Sequence, residues 1–335
     1  MKRIFSLLLA LALTLSLTAC TAPAEKADDG KLQIVTTLFP YYDFARAIAQ
    51  DRADVTLLLS PGREAHSFEP TPLDAVTISE ADVFLYNGGE GEYWVESMLD
   101  AAGEHIAVAS RMMDYVDALD EEYVEGMQGA DGHDHDHEHG SHDDHNHDHE
   151  EDEHDSDEIE YDEHIWTSPK NAVILCRAVC DAICRADAEN AAFYRANCEN
   201  YCAQLEDLDA RFAALCESAP RRLLIFADRF PMLYFCREYG LDYRAAFHGC
   251  SGDTEPSLAT IKFLIDKVED EDIPVVYTID FGTKKVAAVV SECTGAAIDT
   301  LYSMQTVSRA DFDAGETYLT LMERNFEALR KGLNA

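Results

Sequence analysis

The chain has 335 residues, 47% of them apolar, with 65 Asp and Glu against 26 Lys and Arg, a formal net charge of −39. That length and apolar share suit two domains of ordinary size with a substantial core. The charge excludes nucleic acid as a partner, since phosphates would be repelled, and it concentrates cations near the surface.

Residues 1–19 read as a targeting segment: Lys2 and Arg3, an apolar run over 4–17, then Leu17-Thr18-Ala19 before Cys20. The run is short for a spanning helix and carries small residues just ahead of a cysteine, the pattern of a bacterial lipoprotein signal with Cys20 as the lipid attachment site. Residues 20–30, rich in Ala, Pro, Glu and Asp, then serve as a tether.

From residue 31 short β-branched runs alternate with helical stretches, which predicts α/β units with parallel strands. Strands are expected at 33–37, 55–59, 83–86 and 106–109, with helices at 40–50, 73–79 and 93–101. Helix 169–184 follows, started by Ser168-Pro169. Residues 188–216 keep apolar periodicity without Gly or Pro, and at 1.5 Å per residue such a helix spans roughly 40 Å, long enough to join two lobes. A second series has strands at 223–226, 243–247, 275–278 and 298–301, and helices at 231–239, 257–269, 284–294 and 314–331. The expected organisation is an N-terminal α/β lobe over 31–187, a linking helix over 188–217 and a C-terminal α/β lobe over 218–335.

Within the N-terminal lobe, between the strand at 106–109 and the helix at 169–184, lies a compositional anomaly. Nine of the 13 His fall between His133 and His154, and residues 131–158 hold 14 Asp or Glu without one Lys or Arg. Such a tract has too little apolar surface to offset its chain entropy and reads as a solvated loop able to collect divalent cations. Imidazole beside carboxylate suits zinc, copper, nickel or iron better than magnesium. His164 differs in kind, lying beside Ile165 and Trp166 just before a helix start, and belongs to a folded wall.

Four further residues fall after expected strands: His66 after 55–59, Asp228 after 223–226, His248 after 243–247 and Asp280 after 275–278. The carboxyl ends of parallel strands are where open α/β sheets bind ligands, so these residues can meet in a cleft between lobes. The ten Cys are numerous for an exported chain; nine remain after Cys20, an odd number that no complete disulfide framework can use. Cys176, Cys180 and Cys184, and again Cys198 and Cys202, recur at every fourth position. They read first as small apolar residues on a buried helix stripe and second as a thiolate metal site.

Several of these segments resemble the bacterial ABC-transporter substrate-binding lipoproteins for zinc and manganese, the zinc-uptake type above all. The likeness lies in Gly62-Arg63-Glu64-Ala65-His66-Ser67-Phe68-Glu69-Pro70-Thr71-Pro72-Leu73-Asp74, in Asp162-Glu163-His164-Ile165-Trp166 with Pro169 and Asn171, and in Phe39-Pro40-Tyr41-Tyr42-Asp43-Phe44, Tyr86-Asn87-Gly88 and Tyr239-Gly240-Leu241. The resemblance implies two α/β lobes joined by a long rigid helix, with His66, His164, Asp228 and Asp280 holding the metal between them. The chain departs from the zinc pattern at the third ligand: a His usual there is replaced by Ala227-Asp228-Arg229-Phe230-Pro231, and His248 is an alternative source of the third imidazole. Zinc tolerates His with carboxylate oxygens, and manganese prefers more oxygen donors.

The function so implied is capture of zinc (alternatively manganese or iron) outside the cell by a lipid-anchored monomer on the outer face of the cytoplasmic membrane, and delivery to an ABC permease, with Glu64 orienting His66. Two other classes compete. A zinc hydrolase would need an open coordination position and a poised base, and no His-Glu-x-x-His arrangement is present. An extracellular metal buffer or adhesin would have no permease partner.

Overall fold

A computed structural model describes residues 30–63, 68–103, 106–128, 160–249 and 255–334. The chain divides into Met1–Lys31 and a second unit, Leu32–Ala335. Of the first unit only Gly30 and Lys31 are described, so Cys20 and the targeting segment lie outside, as do His66, Glu64 and the His-rich tract. Among the described residues no helix is long and apolar enough to cross a membrane.

The second unit holds two four-stranded, all-parallel sheets. The first contains β1 (Leu32–Thr36), β2 (Ala53–Leu57), β3 (Val83–Tyr86) and β4 (Val108–Arg111) in the order β2-β1-β3-β4. The second contains β5 (Leu223–Phe230), β6 (Asp242–His248), β7 (Val275–Ile279) and β8 (Ala297–Leu301) in the equivalent order β6-β5-β7-β8. In both, the chain direction of winding reverses beside the central pair, which places the ligand crevice of each lobe at the carboxyl ends of β1 and β3, and of β5 and β7.

The first lobe's helices are α1 (Phe39–Ala49), α2 (Pro72–Ser79), α3 (Trp94–Ala102) and α4 (Pro169–Ala186). Their starts follow from local chemistry. Thr71 closes a capping box with Asp74 and is followed by Pro72, and the Ser168 hydroxyl accepts from the Asn171 N–H ahead of α4. The expected linking helix is present as α5, Ala191–Ser218, with 28 residues. It packs on α1 and α4 of the first lobe and on α6 (Leu233–Tyr239) and α10 (Tyr318–Asn334) of the second. Helices α7 (Leu258–Asp270), α8 (Lys285–Thr294) and α9 (Arg309–Ala314) complete the chain.

Apolar burial falls into three clusters. Val35, Phe84, Trp94 and Ile78 fill the outer side of the first sheet, and Ile225, Ala246, Val276 and Val290 fill that of the second. The largest cluster runs through both lobes, with Trp166, Tyr194, Phe212, Phe235 and Tyr318 among its buried rings. The cysteine stripe is core: Cys176, Cys180, Cys184, Cys198 and Cys202 are all buried, and none of the eight described cysteines is disulfide-bonded.

Three expectations need correction. The strand expected at 223–226 continues to Phe230 through an irregularity between Phe226 and Arg229, so Asp228 lies inside β5 rather than beyond it. His248 is the last residue of β6, not a loop residue. The helix expected over 314–331 starts later, at Tyr318, and a separate short helix, α9, precedes it and ends where Gly315 takes φ 77°.

Candidate metal centre

His164 sits in a stretch that reaches α4 through a single 3-10 turn, Ile165–Thr167. The stretch is anchored on both sides. The N–H of Asp162 donates to Leu119 O at 2.9 Å and that of Glu121 to Glu160 O at 2.8 Å, so the two flanks of the His-rich insertion are zipped together. Trp166, wholly buried, packs edge-on to His164 and donates its indole N–H to Ser303 O of the second lobe at 2.7 Å. The imidazole itself is 1% exposed, too little for a surface histidine.

Asp162 orients that ring. Its Oδ1 accepts the His164 backbone N–H at 2.8 Å and lies 3.1 Å from Nδ1, the relation in which a carboxylate fixes the tautomer and presents Nε2 to a metal. Burial alone would lower the imidazole pKa, but Asp162, Glu163 and Glu121 outweigh it and hold it above its ordinary value. A cation taking this nitrogen must therefore displace a proton more firmly held than on free imidazole.

The ring faces a small cavity lined by His164, Arg229, Pro231, Gly249, Ile279, Phe281, Ser303, Gln305 and Thr306. Its enclosed volume is about 10 Å³, room for one water-sized particle. Gly249 is what lets β6 approach: a Cβ there would stand 3.0 Å from His164 Cε1 and 3.0 Å from Phe230 O.

The carboxylates lie around this cavity rather than in its wall. Asp228 is 9% exposed; Oδ1 accepts the Arg229 N–H at 2.9 Å and Oδ2 the Ile279 N–H at 3.4 Å, which ties β5 to β7. Gly282 is required there, because a Cβ would fall 1.7 Å from Asp228 Oδ2. Asp280 accepts the Ser303 N–H at 3.1 Å and lines a neighbouring pocket with Lys284, Thr300 and Asp311. His248 lies 2.8 Å from Glu121 Oε1 through Nδ1 and is not among the residues lining the cavity. Among the described residues, the one set of three His, Cys, Asp or Glu whose ligand atoms lie within 4.8 Å of one another is Cys176, Cys198 and Cys202, so His164, Asp228 and Asp280 do not close around a point.

Sequence reasoning did not single out Arg229, Gly249, Ser303, Gln305 or Thr306. Arg229 places a cationic side chain in the wall beside His164, opposed in charge by its neighbour Asp228. Behind this cavity is a second one of about 20 Å³, lined by Thr37, Asn87, Glu92, Glu163, Trp94 and Gln305 among others. Burial pushes Glu92 up to about 7, against the hydrogen bond from the Gly88 N–H at 2.9 Å.

Residues 34–332 match the family described as zinc-uptake complex component A, periplasmic (ZnuA). The chain is 31% identical over 331 residues to the zinc-binding lipoprotein AdcA of Streptococcus pneumoniae, covering 99% of this chain and 61% of AdcA. It thus spans less than two thirds of that relative's length. It is 30% identical over 306 residues to the high-affinity zinc uptake system protein ZnuA of Bacillus subtilis, covering 90% of this chain and 88% of that protein. The crystal structure of the Zn(II)-bound ZnuA-like domain of Streptococcus pneumoniae AdcA superposes with a TM-score of 0.71 at 26% identity, over 91% of this chain and all of that domain. With two parallel-sheet lobes joined by α5 and a buried histidine between them, in a chain matched over nearly its whole folded length, this protein belongs to the ZnuA family of zinc-uptake components.

Proposed function

We propose that this protein captures zinc outside the cytoplasm and delivers it to an ABC-type permease, with no enzymatic step. The observation that carries this reading is His164: a fully buried imidazole, oriented by Asp162, facing an ion-sized cavity between two lobes of a zinc-uptake fold. One relative is named a zinc-binding lipoprotein and another a high-affinity zinc uptake system protein. His66 supplies the second imidazole, and Asp228 and Asp280 supply oxygens once the surrounding loops adjust around the ion. Cys20 carries the lipid that holds the protein, as a monomer, at the outer face of the membrane. The His-rich tract raises the local ion concentration and is not the primary site.

The test is metal competition against a chelator of known affinity, on the mature protein with and without residues 131–157. Tight zinc binding that survives the deletion, exceeds manganese binding, and falls about 100-fold or more in His66→Ala and His164→Ala is expected. Preference for manganese would assign the selectivity to the two carboxylates; loss of all tight binding with the tract would reduce the protein to a metal buffer.

A further inference from the structure

The cysteine stripe of α4 and α5 does more than fill space in its geometry. Cys176 on α4 and Cys198 and Cys202 on α5 converge, with their sulfurs within 4.8 Å of one another and the pair Cys198–Cys202 at 3.8 Å. All three are buried, at 0%, 2% and 1% exposure. Their present partners are weak: Cys198 Sγ lies 3.8 Å from Cys176 O and Cys202 Sγ 3.9 Å from Val173 O. Cys180 and Cys184, 4.0 Å apart, continue the sulfur surface along α4.

Three sulfurs around one metal at about 2.3 Å, in a plane, stand about 4.0 Å from each other. Thiols in mere van der Waals contact pack at a similar distance, so the spacing shows only that the helices need not move to admit an ion. The number and the setting choose the ion. Closed zinc sites take four ligands in a tetrahedron, whereas among the described residues no His, Asp or Glu side chain joins these three thiols, and the oxygens that touch them are backbone carbonyls. Monovalent copper is satisfied by two or three thiolates, and soft sulfur ligands select it. A harder divalent cargo is left to the nitrogen and oxygen donors of the cleft.

We propose that Cys176, Cys198 and Cys202 form a buried Cu(I) site, separate from the cleft around His164. Binding forms three Cu–S bonds and releases one proton from each thiol to solvent, with no change in the oxidation state of copper or sulfur. The site then carries net negative charge, which Arg177, adjoining Cys176 and within electrostatic reach of Cys202, offsets in part.

The experiment uses the whole mature protein, refolded anaerobically from urea with one equivalent each of zinc and Cu(I) so that burial does not bar entry. Copper is then measured by competition with bicinchoninate and by X-ray absorption at the copper edge. One tightly held copper with three sulfur neighbours is expected, weakened about tenfold or more in Cys198→Ala and in Cys202→Ala and unchanged in the exposed Cys293→Ala. A nitrogen and oxygen shell, which the His-rich tract would give, or equal retention by all variants, would overturn the site. The absorption spectrum of the unmutated protein decides even if a variant fails to fold, and unchanged zinc affinity in Cys198→Ala keeps this outcome apart from the zinc reading.

Discussion

At the scale of single residues, the centre depends on glycines as much as on ligands. Gly282 leaves space that the Asp228 carboxylate occupies, so Gly282→Ala forces that side chain away from the backbone N–H of Ile279. Zinc affinity should drop about tenfold, as losses of supporting contacts at metal sites do, and calorimetric titration against wild type checks it. Glu92 makes a different prediction. Its pKa is raised to about 7 from 4.5, so the folded state holds a proton that the unfolded state loses. The cost of burying the charged form is absent below about pH 4.5, grows as pH rises, and is complete above about pH 7, where it amounts to about 3 kcal/mol. Glu92→Gln should therefore stabilise the apo protein at pH 8 by an amount on the order of 2 kcal/mol and do little at pH 4.5. Urea unfolding at the two pH values measures this, and equal effects at both would refute it.

At the scale of elements, α1, α5 and α10 meet at one carboxylate. Asp43 on α1 is buried and accepts the Tyr201 hydroxyl of α5 at 2.6 Å and the Tyr318 N–H at the start of α10 at 2.9 Å. Burial holds its pKa up against both bonds. Tyr201→Phe removes one donor without opening a cavity and should cost about 1–3 kcal/mol in urea unfolding, the penalty for an under-satisfied buried acceptor. The periodicity that marked α5 was readable because 28 residues repeat one apolar stripe without a breaker. The short irregularity in β5 was not, since strand length there is set by pairing with β6, which resumes at Arg229–Phe247. Likewise the break between α9 and α10 rests on one left-handed glycine, and Gly alone in a helical pattern is an ambiguous stop.

At the scale of the molecule, the two lobes are latched near the centre. Trp166 Nε1 donates to Ser303 O, Tyr318 OH to Trp166 O at 2.7 Å, Tyr234 OH to Asp162 O at 2.8 Å, and Gln128 N to Ala246 O at 3.0 Å. Helices α5 and α10 also cross between lobes through one continuous apolar core. Wide hinge opening would break these bonds and expose that core. Zinc loading is therefore expected to change the radius of gyration by less than about 1 Å, with loop adjustment rather than lobe rotation; solution scattering of apo and loaded protein tests this. The surplus of 65 acidic over 26 basic residues is expected to make the proposed zinc capture faster at low ionic strength, because unscreened negative charge draws cations in, and stopped-flow binding at two salt concentrations checks it.

By itself the sequence determined what depends on local order and composition. The alternation of β-branched runs with amphipathic stretches specified α/β lobes, the unbroken stripe specified the long helix, and the charge and His content pointed to divalent cations. His164 was legible because a histidine among Ile165, Trp166 and a helix start belongs to a wall; Asp228 was legible only as a carboxylate near an apolar strand, and its place inside β5 was not. The tertiary structure alone decided which distant loops share a cavity: Gly249 at the end of β6 and Ser303, Gln305 and Thr306 after β8 meet His164 only because both sheets aim their carboxyl ends at one cleft. It also decided which cysteines touch. Spacing of four puts thiols on one face of a helix, but the facing of α4 against α5 selects Cys176, Cys198 and Cys202, since a contact between helices is a property of their packing and not of either periodicity.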